Sequence, residues 1–179
     1  MKLGKLNFEP VSYNLALIGE PTKESIITND IQGVLVSEIN PELSDTAAFC
    51  EMYDIGMDIC VNCVIVEAKR AEKTWYATCL VQANVRADIN GVVRRRLEAR
   101  KLSFAPMQKA TTLSNMAYGA ISPIGLPADW PILVDSGAAA LEHAVIGSGI
   151  RKSKLLVPGN LLASLPNAKV MDLTKKQKP

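Results

Sequence analysis

The stretch Tyr118–Asp135, YGAISPIGLPADWPILVD, restricts the backbone of this 179-residue chain more tightly than its surroundings. Two glycines and three prolines stand between residues 119 and 131. Each proline fixes φ and lacks an N–H, while a glycine allows close approach of another group. The remaining N–H groups are therefore presented in a rigid array. Such arrays hold anions or developing oxyanions, and they also serve as plain turns between strands. The apolar run Trp130–Val134 that follows reads as a buried strand ending on Asp135.

Elements on either side are short. Gly33–Ile39 reads as a strand stopped at Asn40-Pro41. Ser44 or Asp45 caps a helix running to about Tyr53. Ile59–Val66 is β-branched and apolar almost throughout, which predicts a strand buried on both faces. A turn over residues 69–73 leads to a partner strand, Thr74–Val81. From Asp88, Ile89, Val92, Val93 and Leu97 recur at helical spacing, which predicts a helix over residues 88–101. A strand at Leu102–Ala105, a helix from Met107 to about Leu113 and a helix at Ser136–Leu141 follow. Strands at Ala144–Ile146, Lys154–Val157 and Ala168–Leu173 then flank a helix at Asn160–Leu165. Many short strands broken by short helices predict an α+β (mixed α/β) fold with a curled, barrel-like mixed sheet. Residues 1–45 are expected to be an N-terminal extension packed on a domain over 46–173, and the basic tail 174–179 to be disordered.

Composition excludes several classes. Hydrophobic residues make up 48% of the chain, enough for a core, and aromatics only 5%, so that core is aliphatic. A net charge of +2 argues against a dedicated DNA-binding face but allows a local basic patch. No run of 18 apolar residues predicts a membrane span, and MKLGKLNFEP lacks the apolar region of a secretion signal. A reducing, cytoplasmic compartment is the expectation, with the cysteines as thiols.

Few groups are left for chemistry. Cys60-Val-Asn-Cys63 has C-x-x-C spacing, but its flanks suit a strand, where residues three apart point to opposite faces. Buried thiols are expected there, and no metal. His143 is the sole histidine and is expected to be a boundary residue, which removes His-rich metal sites and most histidine-based triads. Arg94-Arg95-Arg96, with Arg100 and Lys101, forms one basic cluster, and Arg151, Lys152 and Lys154 form a second. The first reads equally as a phosphate grip or as a solvated helix face. Gly147-Ser148-Gly149-Ile-Arg151 is a second glycine turn after a strand.

These motifs together resemble a known family. Leu102–Ala105, Gly119-Ala-Ile-Ser-Pro123-Ile-Gly125, Ile132–Asp135 and Val145-Ile-Gly147-Ser148-Gly149-Ile-Arg151 follow the order and spacing of the YbaK/ProX (prolyl-tRNA synthetase insertion-like) aminoacyl-tRNA deacylases. The resemblance covers about residues 46–173 and includes the family's G-x-x-x-P loop. It implies trans-editing: metal-free, cofactor-free hydrolysis of the ester on mischarged tRNA, at the acceptor end. Editing of this kind is needed because an apolar pocket discriminates weakly against isosteric amino acids during charging. It assigns Gly119 and Pro123, with Ala120, Ile121 and Ser122 between them, to the substrate's carbonyl. Asn62 would orient substrate or water, Val61 would border it, and Asp135 would brace the site or bind the amino group. Gly147, Ser148 and Gly149 would shape the wall, and Arg94, Arg95 and Arg151 would meet tRNA phosphates. The family's lysine on the central strand falls on Val61 or Asn62, and its serine on Gly147. Lys101 or Arg95 is the candidate to supply the missing charge. The alternative is a binding module of the same fold, without turnover, for aminoacyl-adenosine, a nucleotide or the tRNA end. A third reading is a protein-interaction domain using the N-terminal extension. Oligomeric state is left open.

Overall fold

The computed structural model describes residues 1–174, so most of the basic tail lies outside the described residues. The strands are β1 (Lys2–Leu3), β2 (Leu6–Asn7), β3 (Glu9–Pro10), β4 (Leu35–Glu38), β5 (Val61–Arg70), β6 (Lys73–Gln82), β7 (Lys101–Phe104), β8 (Ile132–Asp135), β9 (Ala144–Gly147), β10 (Ser153–Val157) and β11 (Ala168–Met171). The helices are α1 (Glu20–Thr28), α2 (Thr46–Tyr53), α3 (Arg94–Arg96), α4 (Met107–Ser114), α5 (Ser136–Ala139) and α6 (Gly159–Ser164). The α+β class expected from the sequence holds.

Two larger sheets carry the fold. One has the order β3-β4-β10-β9 and is antiparallel. The other has the order β11-β8-β6-β5-β7, with β8 parallel to both its neighbours. A single parallel bridge, Cys60 to Val145, joins them. The sheets curl toward one another at this seam but do not close into a barrel. Alternate residues of the facing strands, among them Val36, Leu80, Val134, Ile146, Leu155 and Val157, form the main core. A second cluster, with Phe8, Phe49, Cys60, Val145 and Leu156, lies where α2 covers the smaller sheet.

Most elements fall where local pattern puts them, because caps and turns agree with burial. Asp45 caps α2 by accepting a hydrogen bond from the Ala47 N–H at 3.1 Å. Residues 88–101 differ. A π-helical turn at Ile89–Val93 runs into the single turn α3, and Glu98 leaves the helix with φ +54°. The start agrees with the cap, since the Asp88 carboxylate accepts the N–H groups of Gly91 and Val92. The early end has a distant cause: the Arg100 N–H bonds to the Lys69 carbonyl at 2.9 Å, drawing the chain into β7. Strand pairing outcompetes a helical pattern interrupted by Gly91.

Candidate functional site

A cavity of about 490 Å³ opens at the seam between the sheets. Its position follows from strand pairing. β5 pairs with β6 along its whole length on one edge. On its other edge it meets β9 only at Cys60 and β7 only from Val66 onward. Residues 62–64 thus have no strand beside them on that edge. The Ala83 N–H bonds to the Cys60 carbonyl on the β6 side, and the Ala105 N–H bonds to the Ile65 carbonyl on the opposite side. Antiparallel alternation therefore turns the N–H and C=O of Cys63 toward the gap.

The cavity brings together Val61, Asn62, Gly119, Ile121 and Gly147 from the residues singled out in the sequence. Asn62 is held by α2, with the Thr46 hydroxyl donating to its Oδ1 at 2.9 Å. That contact leaves the amide nitrogen without a protein acceptor among the described residues. The loop opposite is pinned from three directions. The Ser44 hydroxyl donates to the Gly119 carbonyl at 3.1 Å. The Arg151 guanidinium donates to the Tyr118 carbonyl at 3.1 Å and to the Pro41 carbonyl at 2.8 Å. The Gly149 N–H bonds to the Ala120 carbonyl at 2.7 Å. Gly119 itself sits at φ +74°. Within this pinned loop the N–H groups of Gly119 and Ile121 find no acceptor among the described residues, and both residues line the cavity.

Other expected site residues lie elsewhere. Asp135 is buried, caps α5 through the Gly137 N–H at 3.0 Å and accepts the Leu173 N–H at 2.8 Å. Its carboxylate has no access to the cavity. Ser148 is buried and donates to the carbonyls of Ile150 and Ser153. Ser122 accepts the Ile124 N–H at 3.1 Å, and with Pro123 it forms the buried underside of the loop. Ala120 and Gly149 act through backbone, as the loop's anchor, and not as wall. Arg151 spends two of its five N–H donors on the Tyr118 and Pro41 carbonyls and so ties the loop down. Gly147 is required by space: a β-carbon there would lie 2.5 Å from the carbonyl oxygens of both Ala120 and Ile121. Any side chain there would push the loop away.

Arg94 and Arg95 are exposed and share a surface with Arg70 and Arg100. β7 connects this basic surface to the cavity, with Lys101 at its start and Phe104 at its end. Phe104 is 66% exposed and Tyr118 61% exposed at the cavity rim.

One residue of the site was named from the sequence only as a member of the second basic cluster. Lys154 lines the cavity and is only 6% exposed. Its ammonium donates to the Ser44 carbonyl at 2.9 Å and lies 5.4 Å above the Phe49 ring. Burial pulls its pKa below that of an ordinary lysine, against the opposing influence of Cys60, Asp45 and Cys50. The available signal was a lysine set inside an otherwise apolar strand, KLLV. Lys101 and Arg95, the expected substitutes, are exposed and do not line the cavity. Cys60 lies beside Cys50, Sγ to Sγ 3.5 Å, and burial pushes its thiol well above the usual range. The cysteines are thiols, as expected. Among the described residues no helix is long and apolar enough to cross a membrane.

Three solved structures share the fold. A proposed trans-editing enzyme for prolyl-tRNA synthetase aligns with TM-score 0.75 and 17% identity, covering 87% of this chain and 96% of its own. A hypothetical protein aligns with TM-score 0.75 and 17% identity, covering 87% of this chain and 100% of its own. A scaffold used for computational epitope grafting aligns with TM-score 0.75 and 16% identity, over 88% of this chain and 97% of its own. No curated protein matches the sequence. The family model described as the aminoacyl-tRNA editing domain matches residues 40–165, which include α2, the open edge of β5, the pinned loop and β10. The chain belongs to the aminoacyl-tRNA editing domain family.

Proposed function

We propose that the protein is a trans-editing deacylase that hydrolyses the ester between a wrong amino acid and the 3′ end of tRNA. The observation that carries the reading is the pair of unpartnered N–H groups at Gly119 and Ile121, on a pinned loop, in the cavity that Asn62 also lines. Fixed backbone donors of this kind stabilise the oxyanion formed when water adds to an ester carbonyl. In the proposed step the water oxygen bonds to the carbonyl carbon. The ester C–O bond then breaks, one water proton ends on the ribose oxygen, the second passes to solvent, and the amino acid leaves as a carboxylate. The Asn62 amide nitrogen, free to donate, orients the neighbouring ribose hydroxyl or the water. The Cys63 carbonyl on the open edge of β5 is placed to accept from the substrate's amino group, the part first given to Asp135. No metal or cofactor takes part in this scheme.

The acceptor end would enter over the rim. Phe104 and Tyr118 offer faces on which a terminal base stacks, and β7 leads from them to Arg94, Arg95 and Arg100, where phosphates would lie. The partner is RNA and not DNA, and the reading places the protein with cytoplasmic translation. A panel of mischarged tRNAs tests it. Release of at least one amino acid well above the uncatalysed rate is expected; release at the uncatalysed rate across the panel refutes catalysis. The second reading, a binding module without turnover, is favoured by the two positions on which the family's lysine can fall, buried, apolar Val61 and uncharged Asn62. Binding of an uncleavable aminoacyl-adenosine without hydrolysis of any tRNA would establish it.

A further inference from the structure

Among the described residues Lys154 is the one buried cation, and its surroundings do not neutralise it. β10 alternates. Leu155 and Val157 enter the core between the sheets, while Lys154 and Leu156 face α2. The lysine stem therefore packs among apolar groups, and its head emerges at the cavity wall below the N-terminus of α2. An ammonium has three N–H donors. One is used, on the Ser44 carbonyl. No carboxylate lies within 4.0 Å of it among the described residues. Asp45, the nearest acid on α2, is exposed and occupied as a helix cap. Cys50 and Cys60 face the ammonium as thiols, and Arg151 adds charge of the same sign from the following turn.

A cation buried without a counter-ion is destabilising, and an apolar residue of similar length would suit this strand better. Two donors are left over at the cavity wall, where a ligand oxygen can displace water, and by charge they favour an anionic one.

We propose that Lys154 is a ligand-binding cation of this cavity and takes an anionic oxygen of the bound molecule. Two sources share that chemistry: the carboxylate of an acidic aminoacyl side chain, and the phosphate of the 3′-terminal nucleotide. The inference rests on reading the cavity as the aminoacyl-tRNA site, but its test needs no turnover. Three uncleavable probes, each an amide-linked 3′-aminoacyl-aminoadenosine, are titrated against the full chain. The first carries alanine and no phosphate, the second aspartate and no phosphate, the third alanine and a 5′-phosphate. One anionic probe is expected to bind the wild type on the order of 10- to 100-fold more tightly than the neutral one. The probe that gains identifies the source. Lys154→Met should erase the gain and leave the neutral probe's affinity unchanged, with a melting temperature equal to or above that of the wild type. Lys154→Gln serves as the second variant should the first not fold. Equal binding of all three probes by the wild type overturns the proposal, as does a variant that keeps the discrimination. Absence of tRNA hydrolysis alongside intact discrimination would refute the deacylase reading and leave this one standing.

Discussion

Gly147→Ala tests the coupling between the sheet and the loop. Gly147 ends β9 and pairs in register with Lys154. An alanine β-carbon would meet the Ala120 and Ile121 carbonyl oxygens at 2.5 Å, against an ordinary contact of 3.4 Å or more. About 0.9 Å of movement is needed, and the opposing atoms are backbone. β9 is held along its length by β10, so the loop has to yield. Overpacking of this kind costs roughly 1–3 kcal/mol, which for a chain of this size lowers the melting temperature by roughly 2–12 °C. The loop also carries the free N–H groups of Gly119 and Ile121. Moving them by nearly an ångström should lower kcat/KM on the order of 100-fold. The assay pairs thermal unfolding with deacylation of whichever mischarged tRNA the wild type cleaves fastest. Gly33→Ala is the control. Gly33 lies at φ +76° with its nearest neighbours, Pro158 atoms, no closer than 3.6 Å. That variant should lose roughly 1–2 kcal/mol from backbone strain alone and keep its activity per folded molecule. If Gly147→Ala matches the control, destabilised but fully active, the loop does not present the catalytic donors. If it is neither destabilised nor slowed, the predicted clash itself is absent.

Asp135→Ala should destabilise the fold by about 2 kcal/mol or more, through loss of a helix cap and an orphaned Leu173 N–H. Its kcat, measured on folded protein, should be unchanged; a selective loss of kcat would return Asp135 to the site. Arg94→Ala and Arg95→Ala should each reduce the salt dependence of RNA binding by about one phosphate's worth, whereas Arg151→Met should slow deacylation at constant salt dependence, because Arg151 holds the carbonyls of Tyr118 and Pro41. Burial pushes Cys79 up to about 12 from an ordinary 9.0, with Cys63 adding to the shift. Above pH 9 the unfolded chain loses that proton and the native one keeps it, so stability should fall as pH rises from 9 toward 12 and be fully present below 9. Urea unfolding across that range, with Cys79→Ala as reference, checks the sign.

Local order was legible in the sequence wherever one interaction range decided it. The β-branched run at residues 59–66 became most of the interior strand β5, and the Asp45 cap began α2 where cap chemistry puts it. The glycine–proline loop was identified as a rigid array because proline and glycine act on their own φ angles. The helix expected over residues 88–101 failed where a distant partner intervened, since Lys69 draws Arg100 into a strand. The site divides the same way. Gly119, Ile121 and Gly147 came from the family resemblance. Asp135 and Ser148 carried the right chemistry, yet their polar groups are spent on backbone in the interior. Lys154 was read only as one of a basic cluster, because nothing adjacent in sequence reveals a burial imposed by Phe49 and Ser44, more than a hundred residues away.

The sequence by itself therefore determined most elements and the rigid loop, which rest on contacts within a few residues, and, through the order of its motifs, the family. Tertiary structure alone decided which polar groups reach the cavity. The missing strand beside residues 62–64 opens it, the Ser44 and Arg151 contacts aim the loop, and the pairing of β10 with β9 and β4 carries a buried ammonium to its wall. Each depends on segments brought together only by the closing of two sheets around a shared core.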